Sequence, residues 1–317
     1  MKRPAFAPLS LAIVLSLSQW ANAQEVPDAA DKKAKTLEAI EVKGSPLGLG
    51  ADKIVQPVEV LSGDKLDIAK SNTLGETVAS LPGVNTTYFG PGVGRPVVRG
   101  LDGSRVSLLS SGMGSDDVSN VSQDHAVTIE PFLANQIEVF KGPSTLLYGT
   151  GAIGGVVNVV DGRIQEGPMD APLSGRAEMR YDSGSHGFTG MARVDSSTDT
   201  YALHFDGVYR NNGNYRGSNG EIANSAVDTK TGAIAASTFG DWGFAGFSVA
   251  RFLNNYGNPA EPGDALEPGV TLNMAQTRYD FKAGLQKPFK GFDSIKFSLG
   301  RTEYTHTEFE GNEIGTV

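Results

Sequence analysis

QIEVFKGPSTLLYGTGAIGGVVNVV, residues 136–160, governs how the rest of the chain is read. Glycines at 142, 149, 151, 154 and 155 interrupt short β-branched runs, a pattern that suits either a phosphate-binding loop or the turns of a compact β-rich unit. Gly149-Thr-Gly151-Ala-Ile-Gly154 spells G-x-G-x-x-G, which brings backbone close to a pyrophosphate only when a helix succeeds the glycines. The residues after them, Val156-Val-Asn-Val-Val160, are largely β-branched and show no 3.6-residue apolar stripe. The helix is missing, so the glycines are read as turn and close-packing residues of a small β-rich core.

At the N-terminal end, Lys2 and Arg3, the apolar run Leu9–Leu17 and the triplet Ala21-Asn22-Ala23 make the three parts of a secretion signal, residues 1–23, cleaved before Gln24. The apolar run is shorter than the roughly 20 residues a membrane-spanning helix needs. An exported protein meets no dinucleotide pool, a second argument against the nucleotide loop. The absence of cysteine excludes disulfides and thiolate metal sites. A formal charge of -9, more negative once Lys2 and Arg3 are removed, disfavours nucleic acid as a partner. A length of 317 residues suggests about two domains.

Gln24–Lys35 is small and charged and offers nothing to a core, so it reads as a flexible linker. Leu37-Glu38-Ala39-Ile40-Glu41-Val42 alternates imperfectly, and suits either a strand added to a partner's open sheet edge or an ordinary first strand. From about Ile54 to Asp161 the pattern is mixed and compact. Strands are expected at 58–61, 96–99, 105–109, 136–141 and 156–160, with a short helix capped by Ser62-Gly-Asp64 and another over Thr73–Leu81.

Beyond Asp161 the pattern changes to long alternating segments. Tyr201, Leu203, Phe205, Gly207 and Tyr209 oppose His204, Asp206 and Arg210, and Tyr279, Phe281, Ala283 and Leu285 oppose Arg278, Asp280 and Lys282. About seven strands are expected, at 174–183, 188–195, 200–210, 230–239, 243–253, 276–286 and 293–305. Their connections alternate between short and long, the rhythm of periplasmic turns and outer loops in a membrane barrel, whereas a soluble sandwich gives no reason for it. A barrel must close with an even number of strands, so the chain reads as a fragment ending within an outer loop at Glu313–Val317.

Several motifs now fall in one order: Leu81-Pro-Gly-Val84, Val98-Arg-Gly-Leu-Asp-Gly-Ser-Arg105, Ile137-Glu-Val-Phe-Lys-Gly-Pro143, and Leu147-Tyr-Gly-Thr-Gly-Ala-Ile-Gly-Gly-Val156 with Asn158. In them the chain resembles the N-terminal part of a TonB-dependent outer-membrane receptor. The resemblance implies an α+β plug domain at 45–162 inside an antiparallel transmembrane β-barrel of about 22 strands, of which the first seven or so occupy 174–317. It places a TonB box at Leu37–Val42 within the segment 24–44. It also implies TonB as partner, with ExbB and ExbD in the inner membrane, contact with outer-membrane lipids, no cofactor and no catalysis. Uptake borrows inner-membrane energy through the box, and the pull remodels the plug.

Substrate is read from two places. Arg105–Val127 with Asp161-Gly-Arg163 resembles the subgroup that includes zinc-uptake receptors, and Asp116, Asp117, Asp124 and His125 are metal-ligand types within it. The adjacent histidines of such receptors are replaced here by Ser111 and Gly112, and Asp124-His125 is equally readable as a structural hydrogen-bonded pair. Tyr88, Phe89 and Arg95 belong to the loop YFGPGVGR, whose aromatics suit stacking on a chelate while Arg95 suits its negative charge. The expected cargo is therefore a metal complex such as a ferric siderophore, with direct zinc uptake as the alternative. Two further classes stand apart: a surface enzyme, for which no G-x-S-x-G or H-E-x-x-H is present, and a passive porin, which needs neither plug nor box.

Overall fold

The structure, a computed structural model, describes Val42, residues 58–142, Thr145, and residues 148–260, 269–311 and 313–316. The expected signal, the linker and Leu37, Glu38, Ala39, Ile40 and Glu41 of the box lie outside the described residues.

The first unit of structure is built on a five-stranded sheet. β1 (Val58–Ser62) leads into α1 (Gly63–Ala69), with Ser62 at the N-cap position but making no side-chain cap bond. α2 (Leu74–Val78) is held by Thr73, whose hydroxyl accepts from Glu76 N and donates to the Glu76 carboxylate. It ends three residues before the expected Leu81. A hairpin of β2 (Val84–Thr86) and β3 (Pro96–Val98) comes next, then β4 (Val106–Ser110), β5 (Met113–Gly114), β6 (Gln136–Phe140) and β7 (Gly155–Val160). The sheet order is β1-β6-β7-β4-β5, with β7 antiparallel to β6 and parallel to β4.

Alternation puts Ile137, Val139, Val157 and Val159 into one core with Leu66, Leu74, Val78 and Val106. The glycine-rich stretch leads into a strand, not a helix. A side chain at Gly154 would lie 2.8 Å from Leu101 Cβ and 2.9 Å from the Arg105 carbonyl oxygen, so this glycine serves close packing.

The second sheet has eight strands, each antiparallel to its neighbour in sequence. They are β8 (Leu173–Asp182), β9 (Gly187–Ser197), β10 (Tyr201–Asn212), β13 (Val227–Gly240), β14 (Gly243–Asn258), β15 (Val270–Gln286), β16 (Ser294–Glu310) and β17 (Glu313–Thr316). A two-residue hairpin, β11 (Arg216–Gly217) with β12 (Gly220–Glu221), sits in the long connection after β10. All seven expected strands are present, but β15 starts at Val270 and β16 runs to Glu310 because the ladder Val270↔Glu310 to Gln286↔Ser294 outlasts the side-chain alternation. Glu313–Thr316, expected within a loop, forms β17 on Thr307–Glu310.

This sheet is apolar on the outside and charged on the inside. Leu203, Phe205, Phe247, Phe281, Phe297 and Leu299 are exposed, whereas His204 and Arg210 on the opposite face are buried against the first unit. Tyr201, Trp242, Phe289 and Phe292 stand exposed at the short-turn end. That inversion fits a barrel wall facing lipid, with aromatics at its rim, and not a soluble sandwich.

Candidate functional site

Residues 111–128 of the first unit run along the inner face of β14, β15 and β16. Barrel side chains grip its backbone: Lys282 Nζ donates to Ser111 O at 2.6 Å, Gln276 to Ser115 O at 3.1 Å, and Asn258 to Asp124 O at 2.8 Å. The Ala126 N–H donates to the Tyr256 hydroxyl at 3.0 Å. These bonds fix the backbone on either side of His125, so its ring direction is set by both sheets.

His125 is 4% exposed and meets a carboxylate on each side. Its Nδ1 lies 2.9 Å from Asp124 Oδ1 and its Nε2 2.8 Å from Glu308 Oε1. His306, 3% exposed and two residues before Glu308 on the same face of β16, brings its Nε2 to 3.1 Å from the same Glu308 oxygen. One ligand atom from each of His125, His306 and Glu308 falls within 4.8 Å of the others. The Nδ1 of His306 has no hydrogen-bond partner among the described residues. Two imidazoles and a carboxylate suit a borderline divalent ion such as zinc. Asp124 is placed to hold the far nitrogen of His125, the arrangement that fixes the tautomer of a metal-ligating histidine. Burial pushes the Asp124 carboxyl up, but the Ser122 hydroxyl and His125 outweigh it, so the group titrates below the usual range.

Of the expected metal residues, the cluster therefore includes His125 directly and Asp124 as its neighbour. Asp117 stands outside this cluster: its Oδ1 accepts from Ser119 N and its Oδ2 from Thr128 N and Oγ1. Asp116 is exposed, has φ 53° and stands outside the cluster. His306 and Glu308 were missed because the strand was expected to stop at 305. Their i, i+2 spacing was the available signal, since it puts both on one face once the strand continues.

Arg95, expected to attract a chelate's negative charge, lies inside the plug core. It is fully buried, and its guanidinium donates to Ser119 Oγ at 2.7 Å, Gly103 O and Val106 O at 2.9 Å each, and Asn120 Oδ1 at 2.7 Å. These bonds, to two carbonyls and two side chains, hold the guanidinium inside the plug core, with Nε left without a partner among the described residues. Tyr88 and Phe89 are 59% and 42% exposed. Tyr88 lines a cavity of about 510 Å³ at the long-loop end, together with Phe132, Arg180, Asn212 and Tyr215, and Phe89 is not part of that lining.

A compact α+β unit is thus seated on the charged inner face of an outward-apolar antiparallel sheet, the arrangement of a plugged β-barrel. Residues 51–156 match the family described as TonB-dependent Receptor Plug Domain. This plug-domain match, with the antiparallel eight-stranded sheet that comes after it, makes the chain similar to the N-terminal part of a TonB-dependent receptor.

The chain is 26% identical over 321 residues to a hemin receptor of Yersinia enterocolitica, an alignment covering 98% of this chain and 46% of that protein. It thus spans about half the length of this curated relative. Among solved structures it is similar to the copper transporter OprC, with a TM-score of 0.64 at 17% identity, over 79% of this chain and 38% of that one. It is also similar to the siderophore receptor PiuA from Acinetobacter baumannii, with a TM-score of 0.63 at 14% identity, over 86% and 40%. At these identities the structural likeness establishes the fold alone.

Proposed function

We propose that the chain is part of a TonB-dependent outer-membrane uptake receptor whose cargo is a metal, taken up directly as a borderline divalent ion of the zinc kind. The observation that carries this reading is the convergence of His125 from the plug with His306 and Glu308 from β16, supported by Asp124. Glu308 keeps 37% of its side chain exposed, which leaves the buried imidazoles a solvent-facing carboxylate through which an ion arrives. The proposed organisation is a signal at 1–23, a segment 24–44 carrying the box at Leu37–Val42, a plug at 45–162 and barrel strands from 174 onward. Val42, the one described residue of the box, is 1% exposed and packs with Leu109, Phe140, Ala152 and Val156, so the box leads directly into the plug core.

A second reading is uptake of the metal as an organic chelate such as a ferric siderophore. It is favoured by the cavity around Tyr88 and Tyr215, whose volume and mixed aromatic and polar lining suit a small organic ligand. The names of the relatives, hemin receptor and siderophore receptor, agree with a complexed metal in those proteins.

The test uses the full-length receptor in outer membranes. Deleting residues 37–41, which spares the buried Val42, is expected to abolish energised zinc uptake while leaving zinc binding in place. Unchanged energised uptake sinks the TonB reading. Binding of a ferric chelate without binding of zinc replaces the ion with the chelate.

A further inference from the structure

The segment that leaves the plug, Asp161-Gly162-Arg163, ends in a chain of buried charges that the cargo site does not use. Arg163 Nε and Nη2 donate to Asp206 of β10 at 2.7 and 3.2 Å. Across the ladder, Arg193 of β9 donates to Asp195 from Nε at 2.8 Å and from Nη2 at 3.3 Å. His204 joins the two pairs, with Nδ1 2.7 Å from Asp195 Oδ1 and Nε2 2.8 Å from Asp206 Oδ2. The side chains of His204, Asp195 and Asp206 are 1%, 4% and 2% exposed.

Proton accounting decides the state of His204. An ionised carboxylate only accepts hydrogen bonds, and both aspartates already receive an arginine. Each ring nitrogen therefore has to bring its own hydrogen, which makes His204 an imidazolium. A neutral ring would turn a lone pair toward one carboxylate in a buried site, a costly contact. The other charges packed near this chain have their own partners. Asp161 accepts from Ser111 Oγ and from Arg163 N, Asp280 holds Arg278, and Lys282 donates to Ser111 O.

We infer that His204 is a positioning residue: as an imidazolium clamped between Asp195 and Asp206, it fixes Asp206 for its grip on Arg163 and so bolts the plug's C-terminal tether to the barrel wall. The tether is fastened further along, where Gln165 N donates to Ser237 Oγ at 3.0 Å and Met169 N to Ser197 Oγ at 3.3 Å. With this end fixed, displacement of the plug is confined to its N-terminal side. The role stands apart from the identity of the cargo and requires only that plug and barrel are assembled.

The test is made on the full-length receptor in detergent, without cargo. Nitrogen-15 NMR of histidine-labelled protein, at about pH 8 where an ordinary histidine is neutral, is expected to include an imidazolium signal that His204→Gln removes. In His204→Gln, hydrogen exchange of the amides at 161–167 is expected to rise about tenfold or more while the strands of the barrel stay protected. Asp195→Ala, which removes the acceptor at Nδ1, is expected to abolish the imidazolium signal even if His204→Gln fails to assemble. A neutral His204 at that pH, or a tether equally protected in His204→Gln, overturns the inference. Neither readout depends on uptake, so a failed transport assay leaves it standing.

Discussion

Glu130 of the plug and Arg210 of β10 face each other in a buried bidentate pair, Nη1 to Oε2 at 3.0 Å and Nη2 to Oε1 at 2.9 Å. The side chains are 4% and 2% exposed, and the ring of Phe132 lies under both Arg210 and Arg180. Removing one partner leaves the other charged and out of water. Glu130→Ala or Arg210→Ala is therefore expected to lower the stability of the seated plug by about 3–5 kcal/mol. The double change Glu130→Leu with Arg210→Met should cost less than either single change, because no buried charge is left alone. Denaturant titration followed by protease sensitivity of the plug checks both, and equal losses in all three variants would refute the pairing argument.

Gly75, in α2, packs where a side chain has no room. An added Cβ would lie 2.2 Å from Thr86 Oγ1 and 2.7 and 2.8 Å from the carbonyl carbons of Gly94 and Arg95, two of the three being backbone. Gly75→Ala is expected to destabilise the plug by about 1–3 kcal/mol, through a forced shift of α2 from the β2–β3 hairpin. A melting temperature equal to the wild type's would show that the helix has more freedom than this contact allows.

Zinc in excess should raise the unfolding midpoint of the full-length receptor, by roughly 2.7 kcal/mol of stabilisation at a hundredfold excess over Kd. His306→Ala or Glu308→Gln is expected to abolish this gain. A chelator should reverse it in the wild type. Asp116→Asn, outside the cluster, should leave the gain intact, and a comparable loss there would mean that the ion sits elsewhere.

Lys70, at the end of α1, supplies a pH dependence. Burial pushes its ammonium below the ordinary 10.5, against the opposing hydrogen bond to Asp67 and with Arg176 adding to the shift. The folded chain therefore releases this proton at lower pH than the unfolded chain. Between the two values the unfolded state binds more protons, so stability rises with pH across the window that ends near 10.5. Lys70→Met should remove that rise. The loss of the cation leaves Asp67 and Glu178 still paired with Arg176, at 2.7 and 2.8 Å, so its cost at neutral pH is expected to be small. Parallel stability–pH curves for the two proteins would contradict the assignment.

Local pattern along the chain was enough for the architecture. Val156–Val160 after the glycines excluded a nucleotide loop, the alternation from Arg176 to Leu285 defined barrel strands and their faces, and the motifs from Leu81 to Asn158 resembled the plug that the comparisons then matched. These signals are contained within a strand or a turn, where side-chain order comes directly from chain order. The partners of individual side chains were set by the assembled fold. His125 meets Glu308 across 183 positions, and that contact exists only because β16 continues past the residues whose alternation announced it. Arg95 looked like a loop cation because nothing in YFGPGVGR reveals that Gly103, Val106, Ser119 and Asn120 converge on it. Burial and hydrogen-bond supply are properties of the assembled core, and a residue's type does not state which of its possible partners will be within reach.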